Sequence, residues 1–237
     1  REVVQAHTSL IDSILCHLIE SLASREKRSS ETILEEFSLI AVGGYGRGEL
    51  NPYSDIDLLF LTSKNIRRST DKLIQEFIPV FWDLGMEVGS SCRTIQECLL
   101  LAEKDITIKT SMIETRFMMG NQTKYQKFFQ AINKNGLKKN TARFLDAKSK
   151  EKRLRYAEGI GPSSNPEPNV KEGVGGLRDY HTALWAIAIR FGCLSFREIP
   201  RDDIISSEEL NILNRSIDFT LRVRNELHYV ANKKQDI

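Results

Sequence analysis

The sequence predicts an α+β protein in which a domain with a β-sheet, residues 1–120, precedes a helical domain, residues 121–237. Two observations lead to this prediction. Before Gly120, short apolar runs are bounded by turns that contain glycine or proline, which is typical of buried strands. After it, apolar residues recur at intervals of three and four, which is the spacing of amphipathic helices. The change of pattern at Gly120-Asn121 therefore marks the expected domain boundary.

The first domain is expected to begin with a helix and to continue with three strands. One face of the amino-terminal helix carries apolar residues at helical spacing: Ile11, Ile14, Leu15, Leu18, Ile19 and Leu22. Apolar runs predict neighbouring buried strands at residues 37–42 and 56–61, and a third strand at residues 86–93. Between the second and third strands, residues 73–84 predict a helix that Pro79 kinks or breaks.

Helices are expected to dominate the remainder of the chain. Helical patterns cover residues 95–101, 106–119, 125–132, 179–191 and 207–230. No strand is predicted after Gly120. A cluster of Gly, Pro, Ser and Asn at residues 159–169 predicts a loop, and loops of this length often carry function.

Composition and charge exclude several classes of protein. Thirty-four basic and thirty-two acidic residues give a net charge of +2, so no overall field attracts nucleic acid or an anionic membrane. No apolar run approaches the roughly 20 residues that span a bilayer. The four cysteines form no CxxC pair, which argues against a zinc ribbon and favours reduced thiols. We therefore expect a cytoplasmic protein without nucleic-acid or membrane partners.

The strongest functional signal is a glycine-rich turn, residues 43–48, followed by two aspartates at the start of the second strand. Side chains two residues apart on a strand point to the same side, so Asp55 and Asp57 should converge. Carboxylates at the end of a buried strand need a cation, and hard oxygen ligands suit Mg²⁺ bound together with substrate phosphates. We therefore assign both aspartates as catalytic metal ligands.

The glycine-rich turn is the expected site for the phosphates of a nucleotide. Backbone amides at Gly43 and Gly44 can approach phosphate oxygens closely, and Arg47 can add a charge-assisted hydrogen bond. Ser54 is assigned to the same nucleotide site. The turn lacks the Gly-Lys-Ser/Thr ending of a P-loop and the GxGxxG spacing of a dinucleotide-binding fold. A tight structural connection with capping aspartates is the alternative, and it explains the combination of glycines and DxD poorly.

A third carboxylate is expected to complete the metal site. Glu87 lies in the third predicted strand on the same face as Gly89, and Asp83 just before that strand is the competing candidate. We choose Glu87 as a catalytic and metal-binding residue. The alternative is that Glu87 is an ordinary surface glutamate.

The two tryptophans give no separate functional signal. Trp82 and Trp185 both lie within helical patterns, where a large aromatic side chain is more typical of a core than of a stacking platform for a base. We therefore predict that both side chains belong to the core.

A second candidate site for anions lies at a junction between a loop and a helix. Lys171 and Arg178 flank a glycine-rich run. Within that run, the amides of Gly175 and Gly176 lie near the positive end of the helix, which attracts anions. We expect these four residues to contact the nucleotide. A plain helix entry capped by Asp179 is the alternative, and we keep Asp179 as a possible site residue.

Several segments resemble one known enzyme family. The segment AVGGYGRGELNPYSDIDLLFL is similar to the glycine-plus-DxD signature of the polymerase-beta-type nucleotidyltransferases, and in particular of the bacterial PII uridylyltransferases. Four further segments resemble this family in the same order: FWDLGMEVGSSCRT, DITIKTSMIETRFMMG, NPEPNVKEGVGGLRDYHTALW and RVRNELH.

The resemblance implies a polymerase-beta-like nucleotidyltransferase core with a mixed β-sheet, followed by an all-helical domain that binds substrate. It also implies Mg²⁺-dependent transfer of UMP from UTP to a tyrosine hydroxyl of the nitrogen-signalling protein PII, with release of pyrophosphate. UTP and PII are therefore the expected partners. Members of the family also carry an HD hydrolase domain, and no His-Asp dipeptide occurs in this chain.

Two other functions are compatible with the same core motif. A nucleotidyltransferase of this kind could use another donor or acceptor, as in adenylylation, because the motif does not determine the base. A catalytically silent module that only senses nucleotides is the second alternative. The intact pair Asp55 and Asp57 speaks against the silent module.

Overall fold

The structure, a computed structural model, describes four stretches of the chain: residues 1–137, 140–157, 167–192 and 204–237. Contacts divide the chain into two compact units. The sheet unit comprises Glu2–Gly136, and the helical unit comprises Leu137–Ile237 together with Arg1. The predicted α+β class is confirmed, because a sheet and helices build the first unit and helices are the described elements of the second.

A mixed four-stranded sheet forms the centre of the sheet unit. Its strands are β1 Phe37–Ala41, β2 Ile56–Thr62, β3 Val88–Arg93 and β4 Arg116–Gly120. The spatial order is β3-β2-β1-β4, in which β1 pairs antiparallel with β2 and β4, whereas β2 and β3 are parallel. The three predicted strands and the mixed sheet are confirmed, and β1 and β3 flank β2 on opposite sides.

Helices surround this sheet and connect its strands. They are α1 Glu2–Ser24, α2 Ser30–Leu34, α3 Gly43–Gly46, α4 Arg68–Asp83, α5 Ile95–Lys104, α6 Ile106–Ile113 and α7 Gln122–Ala131, which continues into a π-helical turn Ile132–Leu137. Local capping explains two of the starts. Thr94 and Glu97 form a reciprocal capping box at α5, and the Asp105 carboxylate accepts hydrogen bonds from the first amides of α6.

The main core lies between one face of the sheet and the helices α1 and α4. Buried residues of α1, such as Leu15 and Ile19, belong to the same cluster as alternate residues of the strands. Phe60 on β2 contacts Phe77 on α4 at a ring-centroid distance of 5.6 Å. Because strand side chains alternate between faces, this packing leaves Asp57 on the opposite face.

The prediction of one helix over residues 106–119 was wrong in its last part. Helix α6 ends at Ile113, and the following residues form β4, which pairs with β1 through an irregular register between Leu39 and Ile40. A short apolar run such as Phe117 to Met119 fits either a helix or a strand. Pairing with β1 satisfies its backbone hydrogen bonds, and this long-range contact decides the outcome.

Pro79 was predicted to kink or break its helix, and the prediction of a break was wrong. Helix α4 continues through Pro79 to Asp83. The fully buried Phe77 and Phe81 lie on either side of the proline and anchor both turns to the core. Because Pro79 has no amide hydrogen, the Gln75 carbonyl lacks its usual hydrogen bond within the helix. Gln75 is exposed, so water can donate to this carbonyl instead.

Contacts place α7 with the sheet rather than with the helical unit. The ring of Tyr125 packs against Phe117 of β4 at 5.4 Å, and Phe128 is fully buried. The two compact units consequently divide between Gly136 and Leu137. A domain boundary at residues 120–121 stays a prediction from composition.

The described part of the helical unit consists of α8 Thr141–Arg155, α9 Leu177–Phe191 and α10 Ser207–Ala231. Ser206 and Glu209 form a capping box at the start of α10. The two predicted helices after residue 178 are confirmed. Residues 167–169 of the predicted loop are not helical, and its residues 159–166 lie outside the described residues.

The two tryptophans have opposite environments. Trp185 is 3% exposed, as predicted for a core residue. Trp82 is 61% exposed, so the prediction was wrong for this residue. The buried stripe of α4 follows Leu73, Phe77 and Phe81, and the next residue is rotated by about 100° away from it.

Two further predictions concern membrane-spanning helices and the state of the cysteines. Within the described stretches, no helix combines the length and apolar character needed to cross a membrane. Cys16, Cys92 and Cys98 are free thiols, and Cys193 lies outside the described residues. A cytoplasmic location stays a prediction.

Candidate active site

The glycine-rich turn and the two aspartates meet at the ends of β1 and β2. After β1, residues Gly43–Gly46 form the single helical turn α3, and the Val42 amide donates to the Asp57 carbonyl at 3.0 Å. A methyl group added at Gly43 would lie 3.5 Å from Asp57 Oδ2, and one added at Gly89 would lie 2.8 Å from Oδ1. The Asp57 carboxylate therefore lies between the glycine-rich turn and β3, in a space that only glycine at position 89 leaves open.

Three carboxylates line one cavity of about 560 Å³ on this side of the sheet: Asp55, Asp57 and Glu87. The parallel register pairs Asp57 with Gly89, and the Ile56 amide donates to the Glu87 carbonyl at 2.9 Å. Asp55 and Glu87 are the residues immediately before β2 and β3, respectively, and they consequently lie beside each other. Asp83, the competing third carboxylate, ends α4 and does not line the cavity.

The donor set in this cavity fits a divalent metal held jointly with a nucleotide. Within the described stretches, no group of three His, Cys, Asp or Glu side chains is close enough to hold a metal unaided. Mg²⁺ takes oxygen ligands and usually keeps several from water and substrate phosphates, so one or two protein carboxylates suffice. The open space that Gly89 leaves beside the Asp57 carboxylate agrees with this arrangement.

A second cavity of about 350 Å³ shares Asp57 and Gly89 with the first. Its polar lining includes Ser91 and Arg93, which follow Gly89 on the same face of β3. Arg93 was not among the predicted site residues. Its even spacing from Gly89 along β3 could have indicated it. This spacing places the Arg93 side chain on the same side of the sheet as the aspartates.

Arg47, a predicted phosphate ligand, is engaged by two carboxylates. Its guanidinium donates from Nε to Glu49 at 2.8 Å and from Nη1 to Glu114 at 2.6 Å. Burial opposes its charge, but Glu114 and Glu49 hold the pKa of Arg47 above its ordinary value. These contacts join the glycine-rich turn to the segment after α6. A contact of Arg47 with phosphate stays a prediction.

Gly44 and Ser54, two residues of the predicted nucleotide site, have different surroundings. A methyl group added at Gly44 would meet only the Arg47 Nη2 atom at 3.6 Å and the Glu49 carbonyl at 3.9 Å. Ser54 Oγ is buried and has no hydrogen-bond partner among the described residues. Both residues lie in the segments that carry the glycine-rich turn and the aspartates, and their contact with a nucleotide stays a prediction.

A network that the sequence analysis missed fixes the glycine-rich turn to α1 and β4. The Tyr45 hydroxyl donates to Asp12 Oδ1 at 2.5 Å, and Arg116 binds both oxygens of the same carboxylate at 2.7 and 3.0 Å. Burial and the Asp12 carboxylate raise the pKa of Tyr45, so its hydroxyl stays a donor. Asp12 lies in the middle of the long helix α1, and no local pattern in the sequence indicates its partners.

The predicted second anion site lies in the helical unit, where a compact loop precedes α9. Asn169 Oδ1 accepts hydrogen bonds from the amides of Lys171 and Glu172 at 2.9 and 2.7 Å. The amide of Gly175 donates to Asp179, and that of Gly176 donates to the carbonyl of residue 173. These amides thus have partners within the loop, and a contact of Gly175 or Gly176 with a nucleotide stays a prediction.

Asp179 organises this loop. It accepts hydrogen bonds from Arg155 at 2.5 Å, from the Gly175 amide at 2.8 Å and from the Tyr156 hydroxyl. Burial acts to raise its pKa, but these three donors together hold the pKa of Asp179 below its usual value. Asp179 lies in the first turn of α9 and holds the preceding loop, whereas the N-cap residue Gly176 has no side-chain cap hydrogen bond. A contact of Asp179 with a nucleotide stays a prediction.

In the helical unit, Lys171 lies near two arginines, Arg178 and Arg224. Burial lowers the pKa of Lys171, and the nearby Arg224 and Arg178 lower it further, while Asp236 acts in the opposite direction. Arg178 itself pairs with Glu172 at 2.8 Å, and Arg224 pairs with Asp236 at 2.6 Å. Each of the two arginines near Lys171 is therefore paired with a carboxylate. Arg224 was missed because it is distant in sequence from the glycine-rich run.

Replacing Asp179 by Asn should lower the free energy of unfolding by roughly 2 kcal/mol near neutral pH. The change keeps the size of the side chain but removes the charge that pairs with Arg155, which is buried. Since the folded-state pKa is lowered, this stabilisation is complete above the unfolded-state pKa of about 3.9 and is lost as pH falls through the folded-state value. Urea unfolding should therefore give a difference that shrinks in acid.

The matched control for this variant is Asp146→Asn on α8, whose carboxylate pairs with Lys150 on the surface. Exposed pairs contribute less than about 1 kcal/mol, so this control should change the unfolding free energy little. A difference for Asp179→Asn that stays constant across the acid range would contradict the role of its ionised form.

Two family models match separate parts of the chain. The nucleotidyltransferase domain model matches residues 16–113, which include the glycine-rich turn and the carboxylate cavity. The model of the GlnD PII-uridylyltransferase matches residues 143–237, which form most of the helical unit.

Curated relatives are similar over most of the chain. Bifunctional uridylyltransferase/uridylyl-removing enzymes from Burkholderia thailandensis, Burkholderia vietnamiensis and Burkholderia mallei are each 40% identical over 201 residues. These alignments cover 84% of this chain and 23% of each relative, so the chain spans about a quarter of the length of these enzymes.

Among solved structures, a crystal structure of a toxin-antitoxin with AMP-PNP aligns with 52% of this chain and 83% of its own. The TM-score is 0.26 and the sequence identity is 13%. A likeness this weak carries no argument about fold or function.

Proposed function

This chain carries the nucleotidyltransferase portion of the PII-uridylyltransferase family, and from that premise we propose that it transfers UMP from UTP to a tyrosine hydroxyl of a PII signalling protein. The observation that carries the proposal is the cavity in which Asp55, Asp57 and Glu87 lie beside the glycine-rich turn. Carboxylates next to a potential phosphate site are what a phosphoryl-transfer centre requires.

The proposed transfer exchanges one bond at phosphorus for another. The phenolic oxygen of the acceptor forms a bond to the α-phosphorus of UTP, the bond from that phosphorus to the bridging oxygen breaks, and pyrophosphate leaves. A tyrosine with a pKa of about 10 is mostly protonated at neutral pH, so its proton must pass to a base. Glu87 is the carboxylate proposed for this role, because it lies at the exposed rim of the cavity.

A divalent metal, proposed to be Mg²⁺, would be held by one or two at a time of the carboxylates Asp55, Asp57 and Glu87, together with phosphate oxygens of the nucleotide. When bound, it would neutralise charge on the phosphates and favour departure of pyrophosphate. The protein contributes the geometry of these ligands. Gly43 and Gly89 confine the Asp57 carboxylate from two sides, and the backbone pairing of β2 with residue 87 holds the other carboxylates in register.

The remaining predicted contacts complete the proposal. Gly43, Gly44 and Ser54 are proposed to bind the triphosphate in the sheet unit. A nucleotide contact of Lys171 and Arg178, in the helical unit, stays a prediction from the sequence, and the arginines near Lys171 support an anion site within that unit. The absence of nucleic-acid and membrane partners remains a prediction from composition.

Glu87→Gln is expected to lower kcat by roughly 10²-fold, because one carboxylate that stabilises developing charge is lost. Asp83→Asn is the matched variant, since this carboxylate ends α4 outside the cavity and should leave kcat within about twofold. Steady-state rates of the two variants decide which one completes the site. A large loss for Asp83→Asn with normal activity for Glu87→Gln would reverse the assignment.

The proposed function is tested by measuring transfer of labelled UMP from UTP to purified PII, with and without Mg²⁺ and with ATP as a parallel donor. Metal-dependent labelling of PII from UTP is the expected result. Transfer from ATP alone would retain the chemistry but overturn the donor. Binding of UTP without any transfer would favour a nucleotide-sensing module over an enzyme.

A further inference from the structure

The exposed side chain of Trp82 lies at the rim of the carboxylate cavity. Trp82 lines the same cavity as Asp57 and Glu87, although it is 61% exposed. The neighbouring Leu84 is 65% exposed. Large apolar side chains on a protein surface beside a reactive site are typical of contacts with a partner molecule.

The backbone around these two residues is held in one conformation. Helix α4 ends in a Schellman motif, in which the Met86 amide donates to the Phe81 carbonyl at 2.9 Å and the Gly85 amide donates to the Trp82 carbonyl at 3.0 Å. Gly85 has a φ of +72°, the left-handed conformation that this motif requires. The Trp82 indole also donates to the Val88 carbonyl at 3.4 Å. The pair is therefore presented on a rigid turn.

The in-line geometry of the proposed displacement indicates which of the two substrates contacts this turn. In an in-line displacement, the attacking oxygen and the leaving group lie on opposite sides of the phosphorus. The glycine-rich turn, proposed to hold the phosphates, lies on the β1 side of Asp57, next to Oδ2. Oδ1 faces Gly89 on β3, on the other side. The attacking hydroxyl should therefore approach over β3, where Glu87 and Trp82 line the cavity.

We infer that Trp82 and Leu84 form the contact surface for the polypeptide segment that carries the acceptor hydroxyl, an inference that rests on the proposed transferase function. The segment should place apolar side chains on the indole and Leu84 while its hydroxyl reaches the carboxylates. A tryptophan provides a large and rigid contact area at low entropic cost, which suits recognition of a protein loop. Nucleotide contacts belong to the opposite side of Asp57.

The test compares Trp82→Ala and Leu84→Ala with Leu10→Ala, an exposed leucine on α1 that is 58% accessible. Initial rates are measured while the acceptor protein and UTP are varied separately. Trp82→Ala should raise the KM for the acceptor by roughly tenfold, because tryptophans often dominate interface energies, and Leu84→Ala should raise it by roughly threefold, because leucines contribute less. The KM for UTP should stay within twofold. Trp82→Phe should restore much of the loss, and Leu10→Ala should behave as the wild type.

Each remaining outcome identifies which idea fails. If the wild-type protein transfers no nucleotide to the acceptor, the proposed function fails, and this inference fails with it. If transfer occurs but the acceptor KM is unchanged in Trp82→Ala and Leu84→Ala, only the present inference is overturned. A selective rise in the KM for UTP would show that the indole stacks on the base and would also overturn it.

Discussion

Asp57→Asn is expected to reduce kcat for nucleotide transfer by roughly 10²–10³-fold, because it removes a carboxylate that is proposed to stabilise charge at the reacting phosphate. The side chain keeps its size, so it still fits between Gly43 and Gly89. The Asp57 side chain itself is exposed where it lines the cavity, and its replacement should leave the thermal unfolding midpoint nearly unchanged. Rates with labelled UTP and a melting curve for the same preparation test both parts.

The control for this experiment is Asp71→Asn, an exposed carboxylate in the first turn of α4 that does not line the cavity. It should retain normal turnover. Unchanged turnover in Asp57→Asn would rule out the carboxylate cavity as the reaction centre. An equal loss in both variants would indicate a general effect of charge removal.

Gly46→Ala is expected to destabilise the sheet unit by about 3 kcal/mol or more and to abolish activity through the displaced glycine-rich turn. A methyl group at this position would lie 1.9 Å from the Glu114 carbonyl and 2.9 Å from the Ala41 carbonyl. Both contacts are with backbone, which cannot rotate away as a side chain can. Alanine favours a helix over glycine by only about 1 kcal/mol, so the steric term should dominate.

Gly44→Ala is the matched variant for stability, since it lies in the same short helix α3 with no contact below 3.6 Å. Urea unfolding should therefore separate the two substitutions by at least 2 kcal/mol. Equal midpoints would contradict the close approach of α3 to the segment after α6. The comparison also separates a structural role of Gly46 from the phosphate contact proposed for Gly44.

Local patterns were sufficient for most elements but not for those that depend on distant partners. The strands at residues 37–42 and 56–61 were found because their apolar runs end at unmistakable turns. The strand β4 was predicted as part of a helix, because only its pairing with β1 distinguishes the two. Pro79 stays within α4 because Phe77 and Phe81 pack in the core.

The candidate site shows the same division between local and distant information. The convergence of Asp55 and Asp57 followed from the two-residue period of a strand, and Glu87 followed from a face shared with Gly89. The engagement of Arg47 by Glu114 joins residues 67 positions apart (114 − 47), and no local pattern reports such a pair. The exposure of Trp82 was also unpredictable, because a tryptophan on an amphipathic helix is usually buried.

By itself, the sequence determined the α+β class and the spacing of the carboxylate motif, because these depend on residue types at short fixed intervals. The tertiary structure decided which of Glu87 and Asp83 lines the cavity and how Asp12, Tyr45 and Arg116 hold the glycine-rich turn. These features depend on strand register and on contacts between residues far apart in the chain. Such contacts form only when the packed core brings the elements together, and no short segment encodes them.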